Sequence, residues 1–336
     1  MPFPYFKGKG TTQNINGCQD VPGSRRDNQN RPEQYYASDS LVDAVNVALL
    51  LGQPLLVTGE PGTGKTQLAY RIAWEFKIDP PLQFNTKSTS TARELFYYYD
   101  ALARFQDKVN QAPQEFISYN ALGKAILLAN PKDKVKQFLS PKEAANHPAN
   151  PTRSVVLIDE VDKAPRDFPN DILNEIETMT LRVPEIGNLT IQAPESLHPI
   201  VILTSNSEKN LPDAFLRRCA YYHIQFPDKD TLRLIADNRL KDLAKQDRRM
   251  AVRSDQFLKD AIELFEHLRE IGLKKKPATG ELLVWLQTLQ TLSQTDNPLV
   301  DDPGKLTSSL SAMIKTKEDL KIAQGVLKTW HPKRNT

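Results

Sequence analysis

The sequence predicts an α/β protein in which helices sandwich a parallel sheet and an all-helical domain follows. Three patterns support this fold class. A glycine-rich loop joins a short apolar strand to a helix, the run Val155 to Ile158 is apolar throughout, and apolar residues recur at helical spacing from Asp228 onward. We therefore expect a flexible N-terminal arm at residues 1–34, an α/β domain at 35–227 and a helical domain at 228–336.

Composition and charge are those of an ordinary globular protein. Of the 336 residues, 39% are apolar and 25% are charged, and the net charge of +3 gives no electrostatic signature of nucleic-acid binding. The cysteines, Cys18 and Cys219, are too few for a disulfide framework or a metal cluster, and they suit a reducing compartment. Since no apolar stretch would serve as a signal peptide or a membrane span, we expect a cytoplasmic protein without a membrane span.

The first elements precede the glycine-rich loop. Residues 8–34 have neither helical nor strand periodicity, which indicates the arm. Ser38 or one of the two residues after it can cap a helix whose apolar stripe runs from Leu41 to Leu51, and Gly52 ends that helix.

The loop from Gly59 to Thr66 fits the pattern G-x-x-x-x-G-K-[ST] of a phosphate-binding loop. It follows the apolar run Pro54 to Thr58 and precedes a helix predicted at Gln67 to Phe76. In such loops, backbone N–H groups and a helix N-terminus surround phosphate oxygens. The alternative is a glycine-proline turn without a ligand, which the flanking strand and helix disfavour. The residues expected to bind the nucleotide are Gly59, Glu60, Pro61, Gly62, Thr63, Gly64, Lys65 and Thr66.

The residue types in the loop each have a chemical reason. The glycines Gly59, Gly62 and Gly64 adopt backbone angles closed to other residues and let the main chain approach an anion. Lys65 supplies a mobile positive charge for the outer phosphates, and the hydroxyl of Thr66 supplies a ligand for Mg²⁺. We therefore expect a nucleotide with Mg²⁺ at this loop.

The pattern is mixed between the loop helix and the next buried strand. Residues Pro81 to Thr86 alternate in polarity and predict a second strand. The aromatic-rich segment Thr89 to Gln106 indicates packing rather than a site, and Tyr119 to Ala129 predicts a helix. Residues 130–153, rich in proline, lysine and asparagine, predict a surface insertion.

An acidic pair follows the central strand. Asp159 and Glu160 come directly after Val155 to Ile158, so they would lie at the ligand edge of an open α/β sheet. Asp159 would hold Mg²⁺ through its water shell, and Glu160 would orient or deprotonate the attacking water. A solvated helix cap is the alternative. The upstream loop disfavours it, because Mg²⁺ needs a carboxylate on this side of the nucleotide.

Four further elements complete the predicted α/β domain. An amphipathic helix spans Asp167 to Thr178, and alternating residues on both sides of a Gly-Asn turn predict a β-hairpin over 181–191. The apolar strand Ile200 to Thr204 leads to Asn206, whose amide would align the attacking water. A last strand is predicted at Tyr221 to Phe226.

Four helices are predicted in the C-terminal domain. They are Leu232 to Leu243, Phe257 to Ile271, Gly280 to Leu292 and Leu310 to Trp330, each with apolar residues every three or four positions.

In its order of motifs the chain resembles AAA+ ATPases, and more narrowly the MoxR family, from about Asp39 through the fourth C-terminal helix. The resemblance is carried by Leu49 to Leu56, by Gly59 to Thr66 and by Leu211 to Arg218. It implies a P-loop AAA+ sheet followed by a helical lid domain, with ATP and ADP as nucleotides. It also implies a protein partner, with a von Willebrand factor A domain protein as a candidate.

The resemblance also implies roles for individual residues. The loop would be the Walker A motif, Asp159 with Glu160 the Walker B pair, and Asn206 the sensor 1 residue. Arg218 lies where the family has its arginine finger, and Arg217 would be a second contributor. A finger that acts on a neighbouring subunit requires a ring, most often a hexamer.

Two further positions bear on the resemblance. The family's third lid helix often begins with an arginine, but Lys276 to Glu281 contains none, so its role is lost or passes to Lys274, Lys275 or Lys276. Asn85 matches a position that restrains the catalytic glutamate in some AAA+ proteins.

The leading hypothesis is Mg²⁺-dependent ATP hydrolysis by a ring that remodels partner proteins or assists their assembly. The alternatives are a nucleotide-dependent binding switch with little turnover and an AAA+ motor directed to nucleic acid. The near-neutral net charge disfavours the motor, so nucleic acid is not the expected partner.

Overall fold

The computed structural model of the protein describes residues 31–107, 109–208, 211–246, 254–293 and 295–330. The chain divides into two compact units. The α/β unit consists of residues 35–226, and the helical unit consists of the residues before 35 together with those from 227 onward. The predicted arm at residues 1–34 lies outside the described residues except for its last four, of which Pro32–Gln34 form a 3₁₀-helix.

The strands, in chain order, are β1 (Leu55–Gly59), β2 (Leu82–Asn85), β3 (Tyr97–Tyr99), β4 (Ile117–Tyr119), β5 (Val155–Asp159), β6 (Thr180–Val183), β7 (Leu189–Gln192), β8 (Ile200–Ser205) and β9 (Ala220–Ile224). The helices are α1 (Asp39–Leu51), α2 (Lys65–Glu75), α3 (Ala101–Gln106), α4 (Ala121–Leu128), α5 (Lys132–Val135), α6 (Pro141–Asn146), α7 (Phe168–Thr178), α8 (Asp213–Leu216), α9 (Lys229–Gln246), α10 (Asp255–Glu270), α11 (Thr279–Leu292), α12 (Pro298–Asp301), α13 (Pro303–Ser309) and α14 (Lys317–Thr329).

Five strands form one parallel sheet in the order β2-β5-β8-β1-β9. The register pairs Val57 of β1 with Thr204 of β8, and Asn85 of β2 with Asp159 of β5. Because all five strands run the same way, their carboxyl ends share one edge, where an open α/β sheet binds its ligand. The predicted fold class is confirmed, since helices flank a parallel sheet and a helical region follows it.

The central strands bury both of their faces. Leu55 and Val57 pack in one core with residues of α1 and α2, whereas Leu56, between them, packs in a second core with residues of α4 and α7. A strand covered on both sides has no polar face to alternate with an apolar one. This explains the continuous apolar runs from which the central strands were predicted.

Helix α1 forms where its end signals predict it. Ser38 Oγ accepts a hydrogen bond from the Leu41 backbone N at 3.3 Å, and Gly52, with φ of 63°, ends the helix. Only three residues separate α1 from β1, so the helix leads directly into the strand before the glycine-rich loop.

Two antiparallel hairpins are added to the α/β unit. Strands β6 and β7 pair across Gly187 and Asn188, both with positive φ, which confirms the predicted hairpin. Strands β3 and β4 form a second hairpin in a region where only aromatic packing and a helix were expected. Buried Tyr97 of this second hairpin donates to Glu185 Oε2, in the turn of the first, at 2.8 Å. The aromatic segment therefore supplies one strand of the second hairpin and a hydrogen bond from it to the first.

The predicted surface insertion at residues 130–153 is wrong in part. Pro131 precedes α5 and Pro141 begins α6, and Val135 of α5 and Phe138 between the two helices are buried in the core of the α/β unit. The polar composition of the segment hid two apolar side chains that belong to the same core as residues of α4.

The helical unit contains more helices than predicted. The expected helix from Leu310 to Trp330 is confirmed by α14 but begins later than predicted: a 3₁₀-turn at Leu310–Ala312 comes first, and Thr316 caps α14. Helices α12 and α13 were missed, because each has only a few residues and begins at a proline, Pro298 or Pro303. Among the described residues, every helix is too short or too polar to cross a membrane.

Gly123 lies where α4 packs too closely on Phe96 to leave room for a side chain. A Cβ atom at Gly123 of α4 would lie 2.1 Å from the carbonyl oxygen of Phe96. We predict that Gly123→Ala lowers the free energy of unfolding by about 1–3 kcal/mol through overpacking, measured by urea denaturation.

Gly325 provides the matched control for this prediction. In α14 a Cβ at this helical glycine would meet no atom within 4 Å, so Gly325→Ala should be stabilising by roughly 0.4–1 kcal/mol. Equal stabilities of the two variants would contradict the described packing of α4 against Phe96.

Candidate functional site

The glycine-rich loop joins β1 to α2 and has a backbone that only glycine adopts readily. Gly59, Gly62 and Gly64 have φ of 148°, 76° and 90°. A Cβ at Gly59 would lie 2.6 Å from the carbonyl oxygen of Ile224, and one at Gly64 would lie 3.1 Å from the ring of Tyr35. The loop is therefore closed to side chains at the positions where the pattern requires glycine, as a close cradle for phosphate demands.

Lys65 connects the loop to the end of β8. Its Nζ donates to the carbonyl oxygens of Gly59 and Glu60, at 2.8 and 3.0 Å, and to Asn206 Oδ1 at 3.0 Å. Burial lowers the pKa of Lys65, while the carboxylates of Asp159 and, more weakly, Asp162 and Glu160 act in the opposite direction. The structure thus brings the predicted Lys65 and Asn206 into direct contact.

Thr66 and Asp159 lie side by side at the proposed Mg²⁺ position. Thr66 Oγ1 donates to Asp159 Oδ1 at 3.1 Å, and Thr204 Oγ1 donates to the same oxygen at 2.5 Å. Gln83 Nε2 lies 3.3 Å from Asp159 Oδ2. Hydroxyl and carboxylate oxygens are ligands that Mg²⁺ prefers, and it usually keeps several waters and phosphate oxygens as its other ligands.

This donor set fits Mg²⁺ bound together with a nucleotide. Within the described residues, no group of three or more histidine, cysteine, aspartate or glutamate side chains could hold a metal by protein ligands alone. A single carboxylate and a neighbouring hydroxyl are what a phosphate-bound Mg²⁺ uses in a loop of this type. The residues present therefore fit the group that the sequence implies.

Glu160 follows β5 in a left-handed backbone conformation, with φ of 60° and ψ of 49°. Its backbone N donates to Thr204 Oγ1 at 2.9 Å, and its Oε2 accepts from Lys163 Nζ at 2.5 Å. The amide of Asn85, expected as a partner of Glu160, instead has its Oδ1 2.7 Å from Gln83 Nε2. The restraint role of Asn85 stays a prediction.

Sequence reasoning missed three residues of the site. Thr204 was interpreted only as the end of an apolar strand, although it contacts both Asp159 and Glu160. Asp162 accepts from the Asn206 backbone N at 3.2 Å, and Lys163 pairs with Glu160. For Lys163 the sequence did contain a signal: Glu160 and Lys163 carry opposite charges and lie three residues apart, which is a spacing that allows an ion pair.

The two arginines lie apart from this cluster. Arg217 and Arg218 follow α8 and are exposed, and Arg218 Nε lies 3.6 Å from Glu177 Oε1 on α7. In the described part of the chain, no ion pair joins either arginine to Asp159 or Glu160. The structure therefore brings together the loop, Asp159 and Asn206, but it leaves the predicted finger residues facing solvent.

Thr204 is the residue whose removal should disturb both acidic side chains. Thr204→Val keeps the shape but removes the acceptor of Glu160 N and a donor to Asp159. We predict a loss of about 1–3 kcal/mol in the free energy of unfolding, because buried polar groups lose their partners. Weaker binding of Mg²⁺-nucleotide should accompany it in a fluorescent-nucleotide titration. Thr204→Ser retains the hydroxyl and should behave like the unchanged protein; equal loss in both variants would contradict this role.

Comparison with known protein families agrees with the geometry. Residues 55–228 match the model of the ATPase family associated with various cellular activities (AAA). No curated protein matches the chain. The matched segment covers more than half of the chain and contains the loop, Asp159, Glu160, Asn206 and Arg218. The domain that defines this family is a nucleotide-dependent ATPase domain. Because the match covers more than half of the chain, the chain belongs to the AAA family of ATPases.

Proposed function

We propose that the protein is a Mg²⁺-dependent ATPase of the MoxR type that works as a ring and remodels partner proteins or assists their assembly. The observation that carries the proposal is the direct contact of Lys65 with Asn206 and of Thr66 with Asp159. These contacts join the loop to the ends of two neighbouring strands. They gather at one place the side chains that phosphoryl transfer to water requires.

Each residue has a proposed task. Lys65 and the loop backbone bind the β- and γ-phosphates, and Thr66 with Asp159 holds Mg²⁺. When bound, Mg²⁺ supplies charge that stabilises the transferred phosphoryl group. Glu160 accepts a proton from the attacking water, and Asn206 orients that water. ATP is the expected substrate and ADP the product.

The exposed position of Arg218 supports a shared active site. An arginine that faces solvent and has Glu177 as its ion-pair partner is accessible to a neighbouring subunit. We propose that Arg218, with Arg217 as a second contributor, enters the neighbour's site and stabilises charge in the transition state. Such an arrangement requires a ring, which in MoxR-type ATPases is most often a hexamer.

A von Willebrand factor A domain protein is the proposed class of partner, and the cytoplasm is the proposed location.

A second candidate function is a binding switch with little turnover. The absence of arginine between Lys276 and Glu281, at the start of α11, favours it, because lid closure would lack its usual contact with the γ-phosphate. Turnover well above one ATP per subunit would exclude this candidate.

Glu160→Gln tests the hydrolytic proposal. The variant should bind Mg²⁺-ATP with nearly unchanged affinity but release phosphate at a rate reduced roughly 100-fold or more, because the general base is lost. Steady-state phosphate release and a nucleotide titration measure the two effects. Glu75→Gln, an exposed carboxylate on α2, is the matched control and should keep full activity. Full turnover in Glu160→Gln would refute the assignment.

A further inference from the structure

The turn that follows β5 carries a lysine directed at the proposed base. Val161–Lys163 forms a 3₁₀-helix, with Glu160 as the residue just before it. Side chains three residues apart eclipse each other in this type of helix. Lys163 Nζ accordingly lies 2.5 Å from Glu160 Oε2, and this hydrogen bond raises the pKa of Lys163.

The backbone of Glu160 keeps this pair in place. The left-handed conformation of Glu160 is held on one side by the hydrogen bond from its N to Thr204 Oγ1, and on the other by the bond from Lys163 N to its carbonyl oxygen, at 2.9 Å. Both ends of the turn are therefore tied down. The side chains of Lys163 and Glu160 are 53% and 42% exposed, so the ion pair itself is accessible to solvent and weak enough to open.

The two side chains that would act on one water are held by different lysines. Asn206 Oδ1 accepts from Lys65, whereas Glu160 Oε2 accepts from Lys163. The Glu160 carboxylate is thus directed to the exposed turn instead of to the lysine of the phosphate loop.

We propose that Lys163 is a positioning residue that restrains Glu160, and that hydrolysis requires this ion pair to open. A carboxylate that takes a proton from water must offer a lone pair and approach the water. An ammonium group bound to Oε2 occupies one of the two carboxylate oxygens and holds the side chain toward the exposed turn, which hinders that approach. The inference rests on the proposed function, since it assigns a regulatory contact to the same site.

Replacement of Lys163 tests the restraint. Lys163→Ala should raise kcat about two- to five-fold, the range expected for release of an exposed ion pair, and leave KM and nucleotide affinity within two-fold. Lys163→Arg retains the cation and should restore the slower rate. Lys124→Ala, at an exposed lysine on α4, is the matched control and should match the unchanged protein.

A measurement without turnover accompanies the kinetics. In protein carrying ¹⁵N-labelled lysine, the ammonium signal that disappears in Lys163→Arg identifies Lys163 by NMR. That signal should shift in Glu160→Gln, where the carboxylate partner is gone, and remain in place in Glu75→Gln. An unshifted signal would show that no pair exists in solution, and it would overturn the inference.

The outcomes separate this inference from the proposed function. An unchanged or lowered kcat in Lys163→Ala, together with loss of turnover in Glu160→Gln, would overturn the restraint and leave the ATPase proposal standing. Absence of turnover in the unchanged protein would overturn both. A raised kcat in Lys163→Ala with the rate restored by Lys163→Arg is the result that we expect.

Discussion

One hydroxyl group, that of Thr204, sets the positions of both acidic residues of the site. It donates to Asp159 Oδ1 and accepts from the backbone N of Glu160, so a single side chain on β8 fixes two consecutive residues at the end of β5. Asp159 is thereby held next to Thr66, and Glu160 is turned into a left-handed conformation that costs about 1–2 kcal/mol for a residue other than glycine. The separate tasks proposed for the two carboxylates depend on this division.

The parallel sheet explains why these groups meet. Strands β5, β8 and β1 are neighbours, and their carboxyl ends carry Asp159, the Thr204 region and the phosphate loop, respectively. Lys65 then extends from the start of α2 across to Asn206, beyond the end of β8. A site assembled from strand ends is held by the sheet, while the ion pair of Lys163 with Glu160, whose side chains are exposed, is able to open. This contrast between a cradle held by the sheet and an accessible ion pair is the physical basis of the proposed restraint.

Local signals in the sequence predicted the elements that depend on local chemistry. The helix between Ser38 and Gly52 has a capping side chain and a terminal glycine. The phosphate loop has glycines at positions where any larger residue would clash with neighbouring atoms. What could not be predicted depends on contacts between distant segments. Thr204 meets Asp159 only through the strand order, and Val135 is buried in a core that also contains residues of α4 and of the sheet, all distant from it in sequence or in separate elements. The Lys163 pair was local, but it required the 3₁₀ geometry, which charge spacing alone does not determine.

A site completed by the neighbouring subunit is the central claim, and mixing two inactive variants tests it most directly. We expect Lys65→Ala to lose nucleotide binding while it keeps Arg218, and we expect Arg218→Ala to bind nucleotide while it lacks the proposed finger. After the two are dissociated and reassembled together, phosphate release should exceed the sum of the separate activities, because a finger from one subunit reaches a nucleotide in the next. A mixture of Arg218→Ala with the Lys65→Ala/Arg218→Ala double variant should show no such gain. Activity of the first mixture equal to that sum would contradict a shared site.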